Sequence, residues 1–208
     1  MIISPKYKFI FIKTQKTAGS SIEKILLNKI SDDNNLIFGG MPPENMEPIN
    51  LPEDYEHASA HVGKEIIKRE FPNEWNNYFK FTVERNSWDK TASLYYWGKH
   101  LHPSSSRFGG NFDDFIFHKK SPYLPDWLLY TKNNKPVVDF IMQYDNLNND
   151  FRSVLDILKL PYNNELENTK LKSGHRKEKD YKILYTNKSK DKIRELYKNT
   201  IEYFNYSF

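Results

Sequence analysis

The residues best suited to chemistry stand in one short stretch, KTQKTAGSS, at positions 13–21. The stretch follows an apolar run, YKFIFI, and precedes apolar residues at helical spacing, so we expect it to join a strand to a helix. The first turn of a helix has unpaired N–H groups and a partial positive charge, and both attract anions. The stretch therefore predicts a cradle for a phosphate-type group, with an ordinary capped turn and a solvated lysine as the alternative.

Positions 16–21 hold the groups that we expect to contact this anion. Lys16 brings a positive charge, and Gly19 lets the backbone approach a ligand closely. The complete set of predicted anion-binding residues is Lys16, Thr17, Ala18, Gly19, Ser20 and Ser21. The order of residues differs from a Walker A loop, in which the lysine directly follows a glycine. Here the lysine precedes the glycine by three positions, which argues against a kinase or NTPase.

A second group of polar residues follows another apolar run, in FTVERNSWDKTAS at positions 81–93. Arg85 stands at the end of the predicted strand, and Ser93 stands eight residues later in the following helix. Ligands of open α/β sheets bind beyond the carboxyl ends of the strands, so Lys16 and Arg85 are expected at the same edge. This predicts a ligand with two separated anionic groups. The alternative is that Arg85 forms a structural ion pair with Asp89.

Strands that alternate with helices predict an α/β fold with a central parallel sheet flanked by helices. The predicted strands are 7–12, 78–83 and 137–144. The predicted helices cover about 60–70 and 149–160, begin near Ser20 and Ser87, and include a last amphipathic helix near 193–204. Ser20 and Glu23 are at capping-box spacing, which makes Ser20 the expected N-cap, and Ser87 is the candidate cap of the helix after the second strand. Residues 98–136 look irregular and rich in aromatic residues.

Composition limits the classes of protein to which the chain can belong. Its 208 residues are expected to form a single domain over positions 1–208. The absence of cysteine excludes disulfides, thiolate zinc sites and a cysteine nucleophile. A formal charge of +4 is too small to predict a nucleic-acid partner. No apolar stretch approaches the roughly 20 residues of a membrane span, so we expect a soluble, cytoplasmic protein without a membrane partner.

Five segments, taken in sequence order, are similar to one protein family. FIFIKTQKTAGSSIEKIL resembles the 5′-phosphosulfate loop of sulfotransferases that use 3′-phosphoadenosine 5′-phosphosulfate (PAPS). FKFTVERNSWDKTASLYYW resembles their 3′-phosphate motif, and HASAHVGKEI resembles the His-Ala-Thr-Ala segment of the carbohydrate branch. MQYDNLNNDFRSVLDILKLP and IEYFNYSF resemble their later segments. The chain departs from the family at Gln15 and Ser87, where proline is usual, and at Lys90, where arginine is usual.

The resemblance implies a P-loop-like fold, PAPS as the sulfuryl donor and an acceptor hydroxyl on a carbohydrate. We expect no metal cofactor, because sulfuryl transfer needs a divalent ion less than a triphosphate does and no metal-binding acidic cluster follows the predicted strands. The resemblance implies that Arg85 and Ser93 bind the 3′-phosphate of the nucleotide. Lys16 would meet the negative charge that grows on the bridging oxygen as the nucleotide leaves. It also implies that a basic stretch near residues 170–182 closes over the nucleotide, through His175, Arg176 and Lys177. The alternative for that stretch is a solvated charged surface.

The acceptor hydroxyl needs a base, and histidine titrates near neutral pH. His57 and His61 are the candidates, and the resemblance favours His57, which occupies the place of the motif histidine. Their spacing of four also suits a metal pair on a helix, or two surface histidines without a role.

Two other functions stay open from the sequence. One is a P-loop kinase for a small metabolite, which would need ATP and Mg²⁺. The other is a module that binds a nucleotide or a partner and lacks catalysis. Binding without turnover would distinguish the second from an enzyme. The oligomeric state, the acceptor and the source pathway are not assigned by any of these patterns.

Overall fold

The computed structural model describes residues 1–39, 49–50, 63–119, 126–169, 176 and 180–208. Contacts between residues divide the chain into two compact units. The first unit consists of Met1–Glu84 and Leu128–Leu171, and the second of Arg85–Trp127 and Lys172–Phe208. The first is built around a sheet and the second around helices. The expectation of one domain over residues 1–208 stays a prediction.

The first unit contains every described strand. The strands are β1 (Ile2–Ser4), β2 (Phe9–Ile12), β3 (Ile37–Phe38), β4 (Phe79–Glu84), β5 (Thr131–Lys132), β6 (Lys135–Pro136) and β7 (Phe140–Gln143). Five of them form one sheet in the order β3-β1-β2-β4-β7, and β5 and β6 form a separate hairpin. The strands β2, β4 and β7 pair in parallel, whereas β1 pairs antiparallel with β2 and β3.

The α/β class and the three predicted strands are confirmed. The expectation of a parallel sheet holds only for β2, β4 and β7, because the sheet is mixed. Two strands on the antiparallel side were missed, β1 and β3, because three and two residues are too few to show a periodic pattern. β2 lies in the middle of the sheet with all four residues buried, which explains its continuous apolar sequence.

The helices differ more from the sequence expectations. They are α1 (Gly19–Lys29), α2 (Lys64–Glu70), α3 (Pro72–Asn77), α4 (Ser87–Leu101), α5 (Phe112–Phe117), α6 (Trp127–Tyr130), α7 (Leu147–Ile157), α8 (Glu165–Asn168), α9 (Asn187–Leu196) and α10 (Lys198–Phe204), with 3₁₀ turns at Tyr144–Asn146 and Tyr181–Leu184. The expected last helix is two helices, α9 and α10, separated at Tyr197. The segment expected to be irregular contains α5, α6 and the β5–β6 hairpin.

One apolar core holds the first unit together. Phe11 of β2 stacks on Phe81 of β4 with ring centroids 5.2 Å apart. Helix α1 contributes Ile22, Ile25 and Leu26 to this core. Helix α7 adds three more buried side chains, which are Phe151, Val154 and Leu155. Each helix presents these residues at a spacing of three and four, so one face of each is buried against the sheet core.

An aromatic core holds the second unit together. Trp88 and Tyr95 of α4 are buried in it. α5 and α9 complete it with Phe112, Phe115, Ile116 and Ile193. Gly98 allows the closest packing, since an added Cβ there would lie 2.1 Å from the ring of Phe108. In the part of the chain that the structure describes, no helix is long and apolar enough to cross a membrane.

Both predicted helix caps were wrong by one or two residues. Helix α1 begins at Gly19 and its N-cap is Ala18, not Ser20. The Glu23 side chain is not available for a capping box, because it pairs with Lys13 inside the protein. Helix α4 is capped by Asn86 and not by Ser87. The Asn86 side chain accepts a hydrogen bond from the Trp88 backbone N–H, at 3.1 Å.

Candidate functional site

The turn between β2 and α1 has an unusual backbone. Lys16 and Ala18 both adopt left-handed conformations, with φ of 55° and 64°. For a residue with a side chain this conformation costs about 1–2 kcal/mol, so it is uncommon outside glycine. Two such residues directly before the start of α1 interrupt the regular backbone geometry at this turn. Strained backbone of this kind is concentrated at ligand-binding and catalytic sites.

Thr14 and Thr17 hold this turn in place. The Thr14 hydroxyl donates to the carbonyl of Val83 on the neighbouring strand β4. The Thr17 hydroxyl lies 2.9 Å from that of Thr14 and 3.1 Å from the Thr14 carbonyl. Thr17 is completely buried, and its hydroxyl serves the turn itself. The predicted contact of Thr17 with an anion therefore rests on its backbone N–H.

The two lysines of the turn differ in their surroundings. Lys13 is buried, and its ammonium group forms an ion pair with the buried carboxylate of Glu23. The stem of Lys13 crosses the start of α1, where a Cβ at Gly19 would lie 2.8 Å from Lys13 Cγ. Gly19 is thus required by the packing of Lys13, a reason that the sequence did not suggest. Lys16 is only partly buried and stays the candidate for contact with a ligand.

In the second unit, three charged residues form a cluster that we call the Arg85 cluster: Arg85, Asp89 and Arg176. Arg85 Nε donates to Asp89 Oδ2 at 2.6 Å. Arg176 Nη1 donates to the other oxygen, Asp89 Oδ1. The side chains of Arg85, Asp89 and Arg176 are 9%, 14% and 20% exposed, so this cluster is close to the surface without being fully solvated.

The Arg85 cluster contains residues from two separate predictions, the ion pair of Arg85 with Asp89 and the basic stretch that includes Arg176. The ion pair of Arg85 with Asp89, considered as the alternative to a ligand site, is present. Arg176, from the basic stretch, shares the same carboxylate, so the cluster has a surplus of positive charge. Ser93 lies four residues after Asp89 on α4, which places both on the same face of the helix. Arg85, Ser93 and Arg176 therefore all belong to one region of the second unit.

Glu84 directly precedes Arg85 in sequence, yet its carboxylate is held elsewhere. It is buried in the first unit and accepts a hydrogen bond from the Tyr130 hydroxyl at 2.8 Å. A second buried pair joins Lys90 Nζ to Asp126 Oδ2 at 2.6 Å in the second unit. Sequence reasoning missed both partners, because Tyr130 and Asp126 are more than 30 residues away and no local pattern links them to these sites.

Four predicted residues lie outside the described part of the chain: His57, His61, His175 and Lys177. The predicted base and two members of the basic stretch therefore stay predictions. Ser20 and Ser21 are described and buried in the first turn of α1. Among the residues that the structure describes, no three His, Asp or Glu side chains are grouped so that they could bind a metal ion.

Comparison with known proteins finds a relative that matches part of the chain. No family model matches the chain. An uncharacterized protein of Archaeoglobus fulgidus is 33% identical to it over 106 residues, which are 48% of this chain and 77% of that relative. The name of the relative gives neither an activity nor a ligand. What this chain binds has to be argued from its own residues.

Proposed function

We propose that this chain, which belongs to the same family as the uncharacterized protein of Archaeoglobus fulgidus, is a sulfotransferase that uses PAPS. It moves the sulfuryl group to an acceptor hydroxyl on a carbohydrate, and its P-loop-like fold is part of the proposal. The main observation in favour is the turn between β2 and α1, where Lys16 and Ala18 are left-handed directly before the helix. The resemblance of five segments to the sulfotransferase family gives the class of anion.

The turn is suited to the charge that develops in sulfuryl transfer. The acceptor oxygen attacks the sulfur while the bond from sulfur to the bridging phosphate oxygen breaks. The proton of the acceptor passes to a base, for which His57 and His61 are the candidates. Negative charge grows on the bridging oxygen of the departing adenosine 3′,5′-bisphosphate. Lys16 and the N–H groups of residues 17–20 would stabilise that charge from a fixed position, whereas the Ser21 N–H donates to the Ala18 carbonyl at 2.9 Å.

The Arg85 cluster supports the second half of the proposal, a site for the 3′-phosphate. An arginine guanidinium is planar and binds phosphate oxygens in pairs, provided that its orientation is fixed. Asp89 fixes Arg85 and Arg176 through one carboxylate. The Ser93 hydroxyl, one turn further along α4, would add a donor. We assign Arg85, Ser93 and Arg176 to this phosphate as residues of the second unit.

Ligand-dependent thermal stability tests the nucleotide assignment. Adenosine 3′,5′-bisphosphate should raise the melting temperature without Mg²⁺, because a ligand that binds only the folded state stabilises it. AMP lacks the 3′-phosphate and should raise it much less. ATP with Mg²⁺ is the comparison for a kinase. Equal shifts from the bisphosphate and AMP would refute the 3′-phosphate site, and a larger shift from ATP with Mg²⁺ would favour a kinase.

A further inference from the structure

The structure assigns a positioning role to the last three residues, Tyr206–Phe208, which we call the C-terminal segment. We infer that this segment, through Asn86 and Tyr181, holds both arginines of the Arg85 cluster in the orientation that a 3′-phosphate requires. The inference rests on the proposed function, since it concerns the affinity of the same site. It adds Asn86 and Phe208 to the residues that determine nucleotide selectivity.

Asn86 connects the C-terminal segment to Arg85. It is the residue after Arg85 and the N-cap of α4, and its Oδ1 accepts from the Trp88 N–H at 3.1 Å. Its Nδ2 donates to the carbonyl of Ser207 at 2.8 Å. One side chain therefore ties the start of the helix to the C-terminal segment. Asn86 lies between Arg85 and Asp89 in sequence. The relative position of these two side chains therefore depends on the hydrogen bond from Asn86 to Ser207.

The ring of Phe208 is packed among aromatic side chains next to the same helix turn. It meets Trp88 edge to face with centroids 5.7 Å apart, and Tyr185 in the same way at 5.4 Å. Lys190 Nζ lies 4.6 Å from the Phe208 centroid, within the range of a cation–π contact. Trp88 is itself held by its indole N–H, which donates to the Lys190 carbonyl at 3.0 Å. Phe208 is thus part of a rigid aromatic support for the start of α4.

Tyr181 connects Phe208 to the other arginine. The rings of Tyr181 and Phe208 meet edge to face at 5.8 Å. On its other side, Tyr181 contacts Arg176, whose Cζ lies 5.8 Å from the centroid of the Tyr181 ring. The C-terminal segment therefore supports Arg85 through Asn86 and Arg176 through Tyr181. These are the two guanidinium groups that share the Asp89 carboxylate.

The substitution Asn86→Ser removes the hydrogen bond to Ser207 and keeps the helix cap, so it tests the first role of Asn86 without the second. Serine is as good an N-cap as asparagine, so α4 keeps its cap while the donor to the Ser207 carbonyl is lost. Binding of adenosine 3′,5′-bisphosphate should weaken about 3–10-fold, the usual effect of one lost hydrogen bond. AMP binding should be unchanged. The matched control is Asn111→Ser, because Asn111 caps α5 by accepting from the Asp114 N–H at 2.9 Å.

Phe208→Leu is the second variant, since it keeps an apolar side chain and removes the aromatic contacts. Phe117→Leu is its control, because Phe117 is a 52% exposed phenylalanine of the same unit. Calorimetry gives the Kd of both nucleotides, and hydrogen exchange of the amides 87–91 without nucleotide reports the start of α4. We expect faster exchange and a lower ratio of bisphosphate to AMP affinity in Asn86→Ser and Phe208→Leu, and wild-type values in both controls.

Two outcomes distinguish this inference from the proposed function. If the wild type prefers the bisphosphate and both variants keep that preference, the C-terminal segment has no positioning role and the proposed function stands. If the wild type binds both nucleotides equally, the 3′-phosphate site is refuted and the inference falls with it. Faster exchange in the variants would then show a purely structural contact.

Discussion

Lys13 and Lys16 are the same residue type, yet their different surroundings give them different roles. Both follow the same strand, three positions apart. The sequence predicted Lys16 as the ligand contact, and its left-handed, partly buried position is consistent with that assignment. It did not predict that Lys13 turns inward to Glu23, because the partner depends on how α1 packs against β2. The same packing explains why residue 19 is a glycine, because a Cβ there would lie 2.8 Å from Lys13 Cγ.

Replacing Lys16 should affect catalysis more than binding. Lys16→Ala removes a charge that acts mainly in the transition state, so turnover should fall about 10²–10³-fold. The affinity for adenosine 3′,5′-bisphosphate should change little. Arg85→Ala should mainly raise the KM for PAPS. Steady-state kinetics with varied donor measure both effects, and identical profiles in the two variants would contradict this division of roles.

Replacing Lys13 should affect stability. Lys13→Met keeps the apolar stem and removes one of the two charged donors to the buried Glu23 carboxylate, the other being the Met1 ammonium group at 3.3 Å. The loss of this donor should lower the free energy of unfolding by about 1.5–3 kcal/mol. Lys68→Met on the exposed side of α2 is the control and should change it by less than about 0.5 kcal/mol. Urea unfolding measures both. A neutral Lys13→Met would mean that the ion pair adds nothing to stability.

At the scale of elements, strands were easier to predict than helix ends. Segments rich in apolar residues identified β2, β4 and β7, and the signal is strongest for β2, whose four residues are all buried. The start of α1 was misplaced because alanine is not a usual residue in left-handed conformations, and the serines that follow looked like better caps. The break at Tyr197 was missed because α9 and α10 share one apolar periodicity.

The left-handed conformation of Ala18 predicts that replacing this residue by glycine stabilises the protein. Glycine adopts φ of 64° without steric cost, so Ala18→Gly should stabilise the protein by about 0.5–1 kcal/mol. Ala92→Gly within α4 should destabilise it by at least about 1 kcal/mol, because glycine is unfavourable in a helix interior. Thermal or urea unfolding gives both values. Destabilisation by Ala18→Gly would show that the turn is not strained.

At the scale of the whole molecule, the sequence predicted the α/β class, and contacts between residues divide the chain into two units. The first unit has a sheet whose strands could be recognised locally. The second depends on contacts between segments far apart in sequence, such as Asn86 with Ser207 and Arg176 with Asp89. No local pattern encodes such pairs. Arg85 and Arg176 could be proposed separately, but their shared carboxylate could not.

The central claim, sulfuryl transfer from PAPS, is tested most directly by product formation. The purified chain is incubated with PAPS and a panel of oligosaccharides without added metal, and release of adenosine 3′,5′-bisphosphate is measured with sulfated product. We predict release that depends on an acceptor and falls about 10²–10³-fold in Lys16→Ala. Tight binding of the bisphosphate without transfer to any hydroxyl in the panel would contradict the claim and indicate a nucleotide-binding module.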